Sequence, residues 1–275
     1  MSSYETLIKA ADTVAERLGR APLGLVLGSG LSEALDSIEN PRFMDYQEIP
    51  GMPKPTTEGH RGALLHGRIG DVPILALCGR IHVYENYPLP EIAMPVRLLS
   101  MLGIHTLLVT SAVGSTDPDL LPGQIMLVED HLNLSGINVL AGEHEARLGP
   151  RFPDVSQAYD PEVLTILEDV AALTGQQVSR GILAHFRGPS YETPAEVAMA
   201  RSLGARVVSM SMVPEVLVAH QRGIRVGGIA SVTNLAAGLA DQKLDHEDVL
   251  RNSITNAETL QALLAGAVPR LAHIP

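Results

Sequence analysis

The sequence predicts an α/β fold: a single domain, residues 1–275, with a central, mostly parallel mixed β-sheet flanked by helices. Three observations carry that expectation. Short apolar runs such as Leu23–Leu27, Val72–Cys78 and Ile104–Thr110 have the length and continuity of buried strands. Capped segments of helical length alternate with them. In the second half, polar pairs stand at the edges of the apolar runs, at Tyr191-Glu192, Met210-Ser211 and Thr233-Asn234. Polar groups beyond the carboxyl ends of strands in such a sheet converge on one crevice, where ligands bind.

The elements follow in order. Leu7, Ile8, Ala11, Val14, Ala15 and Leu18 form one stripe of an N-terminal helix, with Ser2-x-x-Glu5 as its capping box and Gly19 as its end. The strand Leu23–Leu27 runs into Gly28-Ser29-Gly30 and a helical turn from Leu31 to Leu35. Strand, small residues, then helix is the geometry of a phosphate cradle and equally of an ordinary tight turn. Pro50–Gly59 is a Pro-rich loop, a lid or plain surface, that ends at His60. After the strand Val72–Cys78, Arg80, His82 and Tyr84 alternate, so an extended chain puts them on one face. That face suits a phosphate or a solvated edge.

Pro88–Leu102 is a helix containing Pro95, which is expected to delay its start or kink it, and Gly103 ends it. Ile104–Thr110 is a strand, with Ser111-Ala112-Val113-Gly114 as a turn of small residues after it. Ile125–Val128 is a strand leading to Glu129-Asp130-His131, whose spacing fits structural hydrogen bonding better than a metal. Asp160 and Pro161 open a helix that Gly175 closes. Ile182–Phe186 is a strand, and Thr193, Pro194 and Glu196 compose a capping box for the next helix. Arg206–Met210 is a strand, Pro214 opens a helix with Glu215 in its first turn, and Ile224–Val232 is a strand. A last helix runs from about Asp245, with His246 in its first turn, to near Ala267.

Composition narrows the function. A net charge of −11 opposes nucleic acid and anionic membranes, so an anionic ligand needs local positive charge. With no Trp and 3% aromatic residues, stacking platforms for single strands are not expected. One cysteine, Cys78, allows no internal disulfide and fits a reducing, cytoplasmic setting. No apolar run has the length of a membrane span, and no signal peptide is expected.

Six ordered motifs then carry a resemblance: G28SG, GRIHVYENYP (79–88), RFPD (151–154) with AYD (158–160), GPSYETPAE (188–196), MSMVPE (210–215) and VTNLAAG (232–238). Over roughly residues 4–265 the chain resembles the trimeric purine nucleoside phosphorylases. That resemblance implies phosphorolysis of purine (deoxy)nucleosides to free base and (deoxy)ribose 1-phosphate. It implies inorganic phosphate as co-substrate, no organic cofactor, no metal and a homotrimer. Phosphate would be held by Ser29, His60, Arg80, His82, Ser211 and the backbone of Ala112. Ribose would meet Tyr84, Met210 and His246; the purine would meet Tyr191, Glu192, Thr233 and Asn234. Asn234, Glu192 and His82 would carry the chemistry.

Related methylthioadenosine phosphorylases carry Asp where Asn234 stands. Asn234 with Glu192 implies 6-oxopurines such as inosine and guanosine. The alternatives are a 6-aminopurine or methylthioadenosine phosphorylase, and a non-catalytic purine-binding protein. Four departures from the resemblance stand out: Ser111 where relatives usually read Asn, Leu148 where many carry an aromatic residue, Met212 where Thr is usual, and GLSEAL (30–35), less glycine-rich than usual after the first loop.

Overall fold

The computed structural model describes residues 3–28, 35, 37–239 and 256–274. Ser29, Gly30, the capping Ser2 and the start of the last helix at Asp245-His246 lie outside the described residues, as does most of the turn expected after Leu31.

Among the described residues, one nine-stranded mixed sheet organises the fold: β1 (Leu23–Leu27), β2 (Glu39–Asp45), β3 (Ala63–Ile69), β4 (Val72–Cys78), β5 (Thr106–Ser115), β6 (Ile125–Asn133), β7 (Val178–His185), β8 (Ala205–Ser209) and β9 (Arg225–Leu235). Their order is β2-β3-β4-β1-β5-β8-β7-β6-β9, and β9 also pairs with β5, closing the last five strands into a ring. Five pairings are parallel and four antiparallel, so the sheet is mixed with a parallel majority.

The described helices are α1 (Ser3–Arg17), α2 (Leu89–Met101), α3 (Pro161–Thr174), α4 (Pro194–Ser202), α5 (Val213–Gln221) and α6 (Ala257–Leu271). α1 packs on α2 and α2 on α5, while α3 packs on α6. Local chemistry sets their ends. The Asp160 carboxylate accepts from the Glu162 and Val163 amides, and Gly175 closes α3 with a left-handed φ of 73°. The capping box of α4 is closed in both directions, Glu196 N to Thr193 Oγ1 at 3.2 Å and Thr193 N to Glu196 Oε2 at 2.8 Å. α1 buries Leu7, Ala10, Ala11 and Val14; Ile8, assigned to that stripe from the sequence, is 38% exposed. Pro95 lies inside α2 without dividing it.

β5 decides where a ligand can enter. One of its edges pairs with β9 along its full length. The other edge pairs with β1 over Thr106–Val109 and with β8 only at Gly114–Ser115. Ser111-Ala112-Val113 therefore belongs to a strand that changes partners, not to the turn expected from its small residues. A sheet whose order reverses at such a point opens a crevice there.

Candidate active site

The crevice is lined by Arg80, His82, Tyr84, Ser111, Ala112, Val113, Gly114, Tyr191, Glu192, Val208, Ser209, Met210, Ser211, Thr233, Asn234 and Ala236. Ten of the positions expected from the sequence meet here: Arg80, His82, Tyr84, Ala112, Tyr191, Glu192, Met210, Ser211, Thr233 and Asn234. His60 stands just behind, its ring centroid 5.1 Å from that of His82. Ser29 and His246 lie outside the described residues.

One end of the crevice is cationic and rich in donors. Arg80 follows β4 and is 4% exposed. Its Nη1 donates to Ser211 Oγ at 2.9 Å and its Nη2 to the Thr110 carbonyl at 2.7 Å. Its Nε lies 2.7 Å from Glu215 Oε1, in a charge contact without the alignment of a hydrogen bond. Ser211 is placed by a tight turn in which the Val213 amide donates to the Ser211 carbonyl at 3.0 Å. Met212, at its centre, takes φ 74° and ψ −54°, a γ-turn geometry that is rare and strained for a side-chain-bearing residue.

His82 is held from below. Its amide donates to Glu85 Oε1 at 2.7 Å, and its Nδ1 lies 3.2 Å from the same oxygen. Burial pushes the imidazole pKa down, against the upward pull of Glu85. Burial also pushes Glu85 up, but hydrogen bonds from His82 and Thr56 outweigh it and bring the carboxyl to about 2. Thr56 donates to Glu85 through both N and Oγ1 at 2.6 Å, and Thr57 Oγ1 lies 3.1 Å from Tyr84 Oη. The Pro-rich loop is thus anchored to the site wall. Tyr84 stacks on His82 with centroids 4.6 Å apart, yet it sits in the 3-10 turn Val83–Glu85. The extended alternation expected from the sequence is corrected: the turn, not a strand, brings both rings to the crevice.

The other end suits a flat, polar-edged ring. Thr233 Oγ1 donates to Asn234 Oδ1 at 2.9 Å, and Asn234 Nδ2 donates to the Leu235 carbonyl at 3.0 Å. These contacts orient the amide and leave one Nδ2–H to spend. Glu192 is 8% exposed, and desolvation raises its pKa above the usual carboxylate value. A donor placed against it restores the charged form. Gly188, at φ 69°, lets the Tyr191 loop approach closely, because a Cβ there would meet Met210 Sδ at 2.4 Å.

Glu215, Glu85, Ser111 and Ser209 entered no role assignment from the sequence. His82-x-x-Glu85 spacing was the available signal for one of them. Glu215 reads as a helix-start acid, and only the fold turns it toward Arg80. Glu129-Asp130-His131 lies within β6, away from the crevice; His131 Nδ1 is 3.3 Å from Tyr159 Oη. Among the described residues, no group of three or more His, Cys, Asp or Glu side chains is placed to hold a metal, and no helix is long and apolar enough to cross a membrane.

A mixed α/β sheet whose crevice joins a donor-rich end around Arg80 and Ser211 to an amide- and carboxylate-lined end defines a small-molecule-binding protein of the doubly flanked α/β class. Comparison with known proteins agrees. The model of the phosphorylase superfamily matches residues 22–269. Purine nucleoside phosphorylase 1 of Bacillus subtilis is 42% identical over 243 residues, 88% of this chain and 90% of that protein. A crystal structure of isoform 2 of the Schistosoma mansoni purine nucleoside phosphorylase, in complex with cytosine and ribose-1-phosphate, superposes with a TM-score of 0.93 at 36% identity, covering 98% of each chain. A Schistosoma mansoni purine nucleoside phosphorylase in complex with adenosine gives 0.92 at 32% identity, covering 98% and 99%; other structures hold hypoxanthine, guanosine and inosine. The chain belongs to the phosphorylase superfamily, in the purine nucleoside phosphorylase family.

Proposed function

We propose that the protein cleaves 6-oxopurine (deoxy)ribonucleosides, such as inosine and guanosine, with inorganic phosphate, reversibly giving free base and (deoxy)ribose 1-phosphate. The observation that carries this reading is the pairing in one crevice of Arg80 and Ser211 with Glu192 and Asn234. Phosphate takes the first end, with His82, Ala112 and His60 around it. The purine takes the second, against Tyr191, and ribose lies between, near Tyr84 and Met210. For Ser29, in the phosphate role, and His246, in the ribose role, the support is the family resemblance alone.

The chemistry follows from charge. A phosphate oxygen bonds to C1′ as the C1′–N9 bond breaks, and the bonding pair leaves with the purine. Positive charge builds on the sugar and negative charge on the base, so the groups that matter are those that bind separated charge better than the ground state. The remaining Nδ2–H of Asn234 donates to N7 of the departing purine. Glu192 accepts from N1–H and from a 2-amino group. The phosphate dianion is nucleophile and counter-charge together, so no covalent enzyme intermediate is needed.

Three further readings accompany this one. A homotrimer is proposed from the family; sedimentation of a fully active monomer would overturn it. A cytoplasmic location is supported by the single buried free thiol of Cys78. Phosphate serves as co-substrate, without an organic cofactor or metal. The test of the main reading is base release from inosine, guanosine and adenosine with and without phosphate. Phosphate-dependent release, fastest for the 6-oxopurines, is expected. Equal release without phosphate would indicate a hydrolase, faster turnover of adenosine or methylthioadenosine a 6-aminopurine enzyme, and tight binding without turnover a non-catalytic protein.

A further inference from the structure

We propose that Ser111 and Ser209 are direct ligands of the oxoanion, forming with Ser211 a three-hydroxyl seat beside Arg80; the inference rests on the phosphorolytic reading above. The three hydroxyls come from separate points: the middle of β5, the last residue of β8 and the turn beyond it. They nevertheless meet. Ser111 Oγ lies 2.6 Å from Ser211 Oγ and 2.9 Å from Ser209 Oγ, and Ser209 Oγ lies 3.2 Å from Ser211 Oγ. All three are buried, and all three line the crevice.

Counting protons shows what this array fits. Ser211 Oγ already accepts from Arg80 Nη1, and Ser209 Oγ accepts from the Ser211 amide at 3.2 Å. Each hydroxyl proton is therefore spent on another serine or on the Ala112 carbonyl, 3.0 Å from Ser111 Oγ. Five donors, counting Arg80 Nη1 and the Ser211 amide, thus converge on one small cluster, with neutral hydroxyls and one carbonyl as their acceptors. A tetrahedral oxoanion offers charged, stronger acceptors, and hydroxyl protons swing onto it by rotation about Cβ–Oγ with no backbone movement. Because a hydroxyl also accepts, the seat tolerates the P–OH of hydrogen phosphate. A purely structural cluster makes the opposite demand: apolar residues of similar shape replace paired hydroxyls at little cost.

The experiment compares Ser111→Ala, Ser209→Ala and the double variant with the wild type. KM for phosphate, KM for inosine and kcat are measured, with calorimetric titration of inorganic phosphate as a readout independent of turnover. Each single variant is expected to raise the phosphate KM about tenfold while the inosine KM stays within about twofold. Thermal unfolding without phosphate reports whether each variant is folded; if the double variant does not fold, the single variants decide. A folded variant with an unchanged phosphate KM overturns the seat, and so does an equal rise in both KM values. If the wild type releases base equally well without phosphate, the phosphorolytic reading itself fails. If phosphate dependence is intact and lost in Arg80→Ala while both serine variants are silent, only the seat fails.

Discussion

Arg80 Nε meets Glu215 Oε1 at 2.7 Å, with the two side chains 3% and 10% exposed. A buried anion beside the cation proposed to hold phosphate presets that cation, at the cost of opposing the incoming charge. Removing one member of a buried pair strands the other, which costs about 3–5 kcal/mol. Glu215→Gln is expected to lower unfolding free energy by about 3 kcal/mol. A double-mutant cycle of Arg80→Ala with Glu215→Ala, followed by denaturant unfolding, should give a coupling above about 1 kcal/mol. Additive effects would mean that the two charges do not depend on each other.

Asn234→Asp should exchange base preference. The carboxylate keeps the Thr233 contact but faces the Leu235 carbonyl without a proton to give, and it can accept from a 6-amino group. Loss of a charge-assisted contact to N7 is worth about 1.5–3 kcal/mol, roughly 10- to 150-fold in kcat/KM for inosine. An unchanged ratio of inosine to adenosine turnover would remove Asn234 from the role proposed for it.

Gly114→Ala probes how closely the purine end is packed. A Cβ there would stand 3.1 Å from Asn234 Nδ2 and 3.3 Å from Val208 Cγ2. The amide has to give way by a few tenths of an ångström. We expect kcat/KM to fall about tenfold, because sub-ångström misplacement of a catalytic group is costly, with little change in melting temperature. A variant as active as the wild type would show that the amide is not held tightly.

His185 should give the fold a pH dependence. It ends β7, is 1% exposed, and burial lowers its pKa from 6.5 to about 4, with Glu215 pulling the other way and His131 and His82 adding to the fall. A histidine depressed in the folded state is protonated first in the unfolded chain. Stability is therefore whole above about pH 6.5 and erodes as pH falls toward 4, by about 3 kcal/mol in all. His82 and His131 shift in the same direction. Urea unfolding between pH 7 and 4 should show His185→Met flattening that slope; the same slope in both proteins would place its origin elsewhere.

Much of this architecture was legible in the chain. The Asp160 and Thr193 caps, the strand Val72–Cys78 and the Gly175 stop are local, so sequence neighbours suffice to define them. Long elements were less so. β5, β6 and β9 each run past their apolar stretch, because pairing with neighbouring strands carries polar and small residues along. Ser111–Gly114 looked like a turn for that reason: small residues mark turns when nothing pairs with them, and here β9 does. Ile8 looked like core because its period is right, yet it is 38% exposed, while Ala10 is fully buried.

The site divides along the same line. The order of motifs, and the residue types that suit an oxoanion and a purine edge, were properties of the sequence alone, since hydrogen-bonding capacity belongs to the side chain wherever it sits. Which of those groups touch was decided only by the tertiary structure. Arg80 reaches Glu215, and Ser111 reaches Ser209 and Ser211, across about a hundred residues or more of chain. Contacts of that range depend on the partner switch along β5, which sets the strand ends side by side; no local periodicity records it.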